Sequence, residues 1–305
     1  MKYNVCIVTG TRTEYGLLQP LIKKLNDDDA LNLQLVVTGS HLCADFGNTQ
    51  TEIEASGIPI KAKIYISLVG DTKVDMIKAI AEAMSSFANY FSANRPDLLV
   101  VLGDRYEIFA ASTAAAMLGI PIAHIHGGET TEGAVDEFLR HSISKMSTIH
   151  FTACEQYKKR VIQLGESPER VFNVGALGVE NIMNLPEIPI RKLSDYLKMN
   201  IDGRPYGLVI FHPVTQEQGT GEKQVKELIK ALDVFIDMNF IIIKSNADAG
   251  GRLINHIWEE EAKKHNNWVL VSSMQSQYYL TALKHAAVMI GNSSSGIIEA
   301  PSLHT

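Results

Sequence analysis

A chain of 305 residues, 46% of them hydrophobic, with a formal net charge of −6, can bury a sizeable core and suits about two domains. The acidic balance and the lack of a concentrated basic run argue against nucleic acid or an anionic membrane as partner. Cys6, Cys43 and Cys154 lie far apart and in no metal-ligand spacing. They fit a reducing cytoplasm better than a disulfide scaffold, and Cys6, inside an apolar run, reads as a small core residue. The opening MKYNVCIVTG is too short an apolar run for a signal peptide, and no run approaches the ~18 apolar residues of a membrane span. A cytoplasmic protein is expected.

In chain order, Tyr3–Val8 reads as a strand and Tyr15–Leu25 as a helix, followed by strand Leu33–Thr38. Asp75–Ser92 is a long helix, with Met76, Ile80, Ala83, Met84, Phe87 and Phe91 near helical spacing. Strand Leu98–Leu102, helix Ile108–Leu118, strand Ile120–Ile125 and helix Asp136–Ser147 follow. Short strands at His150–Thr152 and Val171–Val174 flank helix Glu155–Leu164. This alternation implies a parallel sheet covered on both faces. Pro186, Pro189 and Pro205 interrupt the rhythm, so 1–185 reads as one domain, 186–205 as a linker and 206–305 as a second domain. In the second, strands Gly207–Phe211, Phe240–Lys244, Trp268–Val271 and Ala287–Ile290 alternate with helices Glu222–Met238, Ile254–His265 and Ser276–Ala286, and a last helix opens near Gly296. Trp258 and Trp268 sit at core spacing. A doubly wound domain normally adds another strand and helix here, so this one reads as short at its C-terminus.

The chemistry gathers where strands end. After the first strand, GTRTEYG presents backbone N–H groups and a helix start to an anion, with Arg12 as a guanidinium fork. It contains neither GxGxxG nor GK[ST], and a plain turn with a solvated arginine is the alternative. The runs Leu98–Leu102 and Ile120–Ile125 both stop at titratable groups: Asp104 and Arg105, then His124, His126 and Glu129, with Asp136, Glu137, Arg140 and His141 close behind. A strand ending in such groups builds a site better than a core, because open α/β sheets bind ligands beyond their carboxyl ends. His124 and His126, two apart on a strand, share a face. That spacing also suits a metal, with Glu129, His141 or His212 as third ligand. The acid–base reading takes Asp104, His126, Glu129 and Asp136 as the working groups. Asp136 and Glu137 also fit an ordinary solvated helix start. Arg105 is either a structural partner of Asp104 or a phosphate ligand. His212 closes a strand in FHPVT, and SNADAGG ends the next on the same edge. In IGNSSSG three hydroxyls and two glycines suit a diphosphate or a serine cap, and Glu299 one turn later suits ribose hydroxyls.

Taken together, GTRTEYG, GDRYEIF, HIHGGE, DEFLRHSISKMS, EQYKKRVIQLGE, FHPVT, SNADAGG and IGNSSSGIIEAPSL resemble the hydrolysing UDP-N-acetylglucosamine 2-epimerases of bacterial sialic acid biosynthesis, in order and over essentially the whole chain. The resemblance implies a glycosyltransferase-B-like α/β architecture of two Rossmann-like doubly wound domains, with UDP held mainly by the second and the sugar in the cleft. It implies no metal and no nicotinamide or other cofactor. The implied reaction is an anti elimination of UDP across C1–C2, then hydration, releasing N-acetylmannosamine and UDP. By motif, Asp104, Asp136 and Glu129 match catalytic acids, and His126 matches a position where some relatives carry glutamate. His212 matches the histidine near the leaving group. Arg12, Arg105, Ser293, Ser294 and Glu299 match nucleotide-binding positions. Family members continue past PSL with a glycine- and arginine-rich loop and a helix, so the second domain reads as incomplete. A homo-oligomer, dimer or tetramer, is expected. A UDP-2,4-diacetamido-trideoxyhexose of legionaminic acid synthesis is an alternative substrate. The non-hydrolysing epimerase, a glycosyltransferase and an inactive nucleotide-sugar sensor are the other readings.

Overall fold

The computed structural model describes every residue except Met1, Val69, Asp71, Glu132, Leu185, 215–218 and 246–249. It divides into two compact units, Met1–Leu177 and Gly178–Thr305.

The first unit is built on seven parallel strands: β1 Tyr3–Thr9, β2 Leu31–Thr38, β3 Ile60–Ile64, β4 Leu98–Leu102, β5 Ile122–Ile125, β6 Ile149–Thr152 and β7 Val171–Asn173. Their order is β3-β2-β1-β4-β5-β6-β7. The winding direction reverses between β1 and β4, the position where such sheets open toward a ligand. Alternation along β1 splits the core in two. Cys6 and Val8 pack on one face with Ala83, Phe87, Phe91 and Ile108. Val5 and Ile7 pack on the other with Leu18, Ile22, Leu35 and Ile53. The face expected of the long helix is therefore the buried one, and the helix spans Lys73–Ala93. Strand β3 was not expected from sequence. Ile60, Ala62 and Ile64 alternate with Lys61 and Lys63 on a sheet edge, where lysine discourages further pairing.

The first helix starts at Arg12, three residues before its apolar periodicity. Thr11 Oγ1 accepts the Glu14 N–H at 3.2 Å, and Glu14 Oε2 accepts from Thr11 N at 3.1 Å and Gly10 N at 2.7 Å. This reciprocal capping box fixes the helix start. Thr11→Ala is expected to cost about 1 kcal/mol, read as a lower urea midpoint at unchanged slope.

The second unit carries four parallel strands, β8 Tyr206–Ile210, β9 Asn239–Ile243, β10 Trp268–Val271 and β11 Val288–Gly291, in the order β10-β9-β8-β11. Val209, Phe240, Ile242, Trp258 and Trp268 fill one face. Leu208, Ile241 and Leu283 fill the other, joined by Leu193, Leu197 and Ile201. Those last three come from the stretch read as a linker. Residues 190–197 form a helix whose apolar stripe has a core to cover, so 186–205 is not an extended connection. The expected helix Glu222–Met238 ends at Leu232 instead, and Val234, Phe235 and Ile236 beyond it are exposed. No helix among the described residues is long and apolar enough to cross a membrane.

Candidate active site

Strand β5 stops at Ile125, and His126 turns into the left-handed region at φ 64°. The two histidines therefore do not share a strand face, which corrects the spacing argument. His124 is fully buried, and its ring nitrogens are both engaged, with Gly103 O at 2.7 Å (Nε2) and Ser144 Oγ at 3.1 Å (Nδ1). Burial pushes its pKa down to about 3, so the ring is neutral, donating from Nε2–H and accepting the serine hydroxyl. His124 is thus a rivet from the exit of β4 to helix Asp136–Met146. It has no lone pair left for a metal. Among the described residues no group of three or more His, Cys, Asp or Glu is placed to hold one.

His126 accepts the Leu177 N–H on Nε2 at 3.2 Å. The neutral ring, held down to about 4 by burial, then carries its proton on Nδ1, which lies 3.4 Å from Glu129 Oε1. The two glycines that follow allow the close approach. A Cβ on Gly127 would come within 2.9 Å of Ser144 Oγ, and one on Gly128 (φ 82°) within 2.4 Å of Tyr157 O. Arg160 donates to the Gly128 carbonyl and so pins this loop to helix Glu155–Gln163.

Asp104, just past β4, is ion-paired with Arg140, which is 5% exposed and also donates to Thr131 Oγ1 at 3.0 Å. Glu137 accepts from Thr131 N at 2.6 Å and lies 3.7 Å from Arg140 Nη1. His141 Nε2 is 3.2 Å from Glu137 Oε1. Asp136 is the half-buried first residue of the same helix. The structure thus gathers Asp104, His126 and Glu129 at adjacent strand ends, with Asp136 on the helix that supplies Arg140. Arg140 was noted in the sequence but given no role. Its i+4 offset from Asp136 and its burial are what make it the partner of Asp104.

The turn after β1 differs from its phosphate-cradle reading. Gly10 and Thr11 N–H groups both go to Glu14, and Arg12 makes a two-pronged ion pair with Glu52, Nε to Oε2 at 2.9 Å. Arg105 Nε donates to Glu107 Oε1 at 3.2 Å, and its guanidinium lies 5.3 Å from the Tyr106 ring centre. Glu107 is fully buried and Glu14 is 7% exposed. Sequence reading passed over both acids, although T-x-x-E in GTRTEYG is a capping-box signal.

In the second unit His212 and Asn292 join the ends of β8 and β11, where strand order reverses. His212 N donates to Asn292 Oδ1, and Asn292 Nδ2 returns to His212 O, each at 2.8 Å. His212 Nδ1 is 3.2 Å from Ser245 Oγ, and Ser245 is itself held by two hydrogen bonds to the Asn255 amide. Most of SNADAGG, residues 246–249, lies outside the described residues. Ser293 is half-buried and Ser294 exposed, at the start of the short helix Ser295–Ile298. Ser293 Oγ accepts from Ser295 N at 3.3 Å. Glu299 lies so close over Gly178 that a Cβ there would sit 2.1 Å from its Oε1, and burial raises its pKa.

Burial makes stability depend on pH in two opposing ways. His41, down to about 3, and His124 and His126 resist protons that the unfolded chain takes up below its histidine pKa of about 6.5. Stability therefore falls as pH drops from there, by about 1.4 kcal/mol per proton per pH unit. Glu14, raised to about 8, holds a proton that the unfolded chain has already lost above about 4.5, so its contribution fades as pH rises toward 8. Glu299 acts in the same direction. Melting temperature is expected to peak near pH 6.5. A continued rise from pH 7 to 8 contradicts this balance.

Two parallel, doubly wound units with polar groups collected at their strand ends place the chain in the glycosyltransferase-B-like class. A solved UDP-GlcNAc 2-epimerase from Methanocaldococcus jannaschii, in complex with UDP-GlcNAc and UDP, matches 98% of this chain and 82% of its own at a TM-score of 0.80 and 18% identity. The family model described as UDP-N-acetylglucosamine 2-epimerase matches residues 23–305, and the chain belongs to that family. It is 42% identical, over all its length and 79% of the relative's, to the "GDP/UDP-N,N'-diacetylbacillosamine 2-epimerase (hydrolyzing)" of Campylobacter jejuni. It is 41% identical, over 98% of its length and 76% of the relative's, to the "Polysialic acid biosynthesis protein P7" of Escherichia coli.

Proposed function

We propose that the protein is a hydrolysing 2-epimerase acting on UDP-N,N'-diacetylbacillosamine, releasing UDP and the sugar inverted at C2. The observation that carries this reading is the 42% identity, over its full length, to a relative bearing that name, together with carboxylates collected around Asp104 and His126. UDP-N-acetylglucosamine is the second reading, favoured by the family description and, for a sialic acid route, by the Escherichia coli relative.

The chemistry has two stages. A carboxylate takes the C2 proton, the C2–H electrons become the C1=C2 double bond, and the C1–O bond breaks with its pair on the leaving UDP. Water then adds, oxygen to C1 and a proton to C2 from the opposite face. Asp104 suits the base, because Arg140 keeps it ionised and oriented. Glu129, with the His126 Nδ1–H facing it, suits the proton return. Asp136 serves the same sugar from the helix start, where the dipole favours its charge. His212 is assigned to the leaving group, and Ser293, Ser294 and Glu299 to the nucleotide. Arg12 and Arg105 are assigned to its anionic part, which for Arg12 requires exchange with Glu52. Donors to the leaving oxygen gain strength as its charge builds. Three free thiols fit a cytoplasmic setting.

Each UDP-sugar is incubated separately with the protein and followed by NMR. Release of free UDP with a C2-inverted sugar from the diacetamido substrate supports the first reading. Turnover of UDP-N-acetylglucosamine alone selects the second, and an inverted sugar still attached to UDP rejects both.

A further inference from the structure

His124 is a fully buried titratable group that the chemistry above leaves unused. Its hydrogen bonds have a fixed direction. The Gly103 carbonyl can only accept, so Nε2 carries the proton and donates at 2.7 Å. Nδ1 of the neutral ring is then an acceptor, and Ser144 Oγ–H donates to it at 3.1 Å. Gly103 immediately precedes Asp104. Ser144 follows Arg140 by one turn on the same face of helix Asp136–Met146. The two ends of the ring thus lie beside the two partners of the Asp104–Arg140 ion pair. The loop with His126 and Glu129 rests on the same bond, since a Cβ on Gly127 would lie 2.9 Å from Ser144 Oγ and 3.0 Å from His124 Nδ1.

The ion pair does not fix its own geometry. Arg140 reaches both Asp104 Oδ2 and Thr131 Oγ1 through Nη2 alone. Its Nε and Nη1 are buried without a hydrogen-bond partner among the described residues, and Glu137, 3.7 Å from Nη1, is on the same helix. A contact through one nitrogen can pivot, whereas a two-pronged fork cannot. Where Nη2 meets Asp104 is therefore set by where the helix lies against the end of β4. Ile143 packs that helix into the core, but apolar contact has no direction. The hydrogen bonds through His124 have one.

We propose that His124 is a positioning residue: through Gly103 and Ser144 it holds the end of β4 and helix Asp136–Met146 at the spacing at which Arg140 orients Asp104 as base. The part that concerns the base rests on the function proposed above.

Ser144→Ala removes the donor to Nδ1 and leaves the ring in place. It is expected to lower kcat about 10–100-fold, the scale of a misplaced reacting group, with KM within about 3-fold. Ser147→Ala is the control, because its buried hydroxyl donates to Ile143 O at 2.7 Å at the end of the same helix rather than to the ring. It is expected to keep kcat. In an Asp104→Asn background, Ser144→Ala is expected to cost nothing further, since the group it positions is gone. One readout needs no substrate. The Arg140 Nε–H signal in heteronuclear NMR, assigned by its loss in Arg140→Lys, is expected to shift and to exchange with solvent about 10-fold faster in Ser144→Ala, and to stay in place in Ser147→Ala. An equal fall of kcat in Ser147→Ala, or effects of Ser144→Ala and Asp104→Asn that multiply, overturns the positioning role. An unmoved Arg140 signal in Ser144→Ala overturns it whether or not either UDP-sugar is turned over. A shifted signal in a protein that turns over neither UDP-sugar supports the His124 link and removes the function built on it.

Discussion

Asp104→Asn is expected to lower kcat by about 10²–10⁴-fold, the range of a lost general base, while the dissociation constant for UDP stays within about 3-fold. The amide keeps the carboxylate's shape and one oxygen for Arg140, so the buried guanidinium retains a hydrogen-bond partner. It loses the negative charge that the proposed role as base requires. Turnover and UDP affinity are measured on the same preparation, and an unchanged melting curve separates chemistry from folding. Turnover within 10-fold of wild type removes Asp104 from the role of base. Arg140→Lys offers a companion test. Lysine keeps the charge but not the planar fork that spans Asp104 and Thr131.

The second large effect is structural. Gly291→Ala is expected to destabilise the second unit by more than about 3 kcal/mol and to abolish UDP binding. Gly291 sits at φ 138°, and an added Cβ would lie 1.7 Å from the Ile210 carbonyl oxygen. That oxygen belongs to β8, the strand paired with β11, so neither side can yield without breaking the ladder. The Asn292 and His212 exchange is one residue away and would go with it. Retained unfolding midpoint and UDP affinity in this variant contradict the account.

The strands were the most legible part, because fully buried parallel strands read as short apolar runs. Leu98–Leu102 and Trp268–Val271 match residue for residue. Strand β3 was hidden because its lysines alternate with only three apolar residues on an exposed edge. Helix Ile190–Leu197 was hidden by prolines that flank it rather than break it. At the site, Asp104, His126 and Glu129 were visible as titratable groups ending apolar runs. Which partner each takes was not, since pairing depends on helices packed across the sheet. Arg140 on Asp104 and Leu177 on His126 are contacts 36 and 51 residues apart in sequence. The acids Glu14 and Glu107 were passed over, and their burial against Gly10 and Gly39 is what sets them apart.

The Glu14 carboxyl group, seated on the Gly10 and Thr11 amides, occupies the ground that a phosphate takes in many nucleotide-binding folds. The first unit therefore carries its own tethered competitor at that turn. An oxyanion reaching these two amides must first displace that side chain.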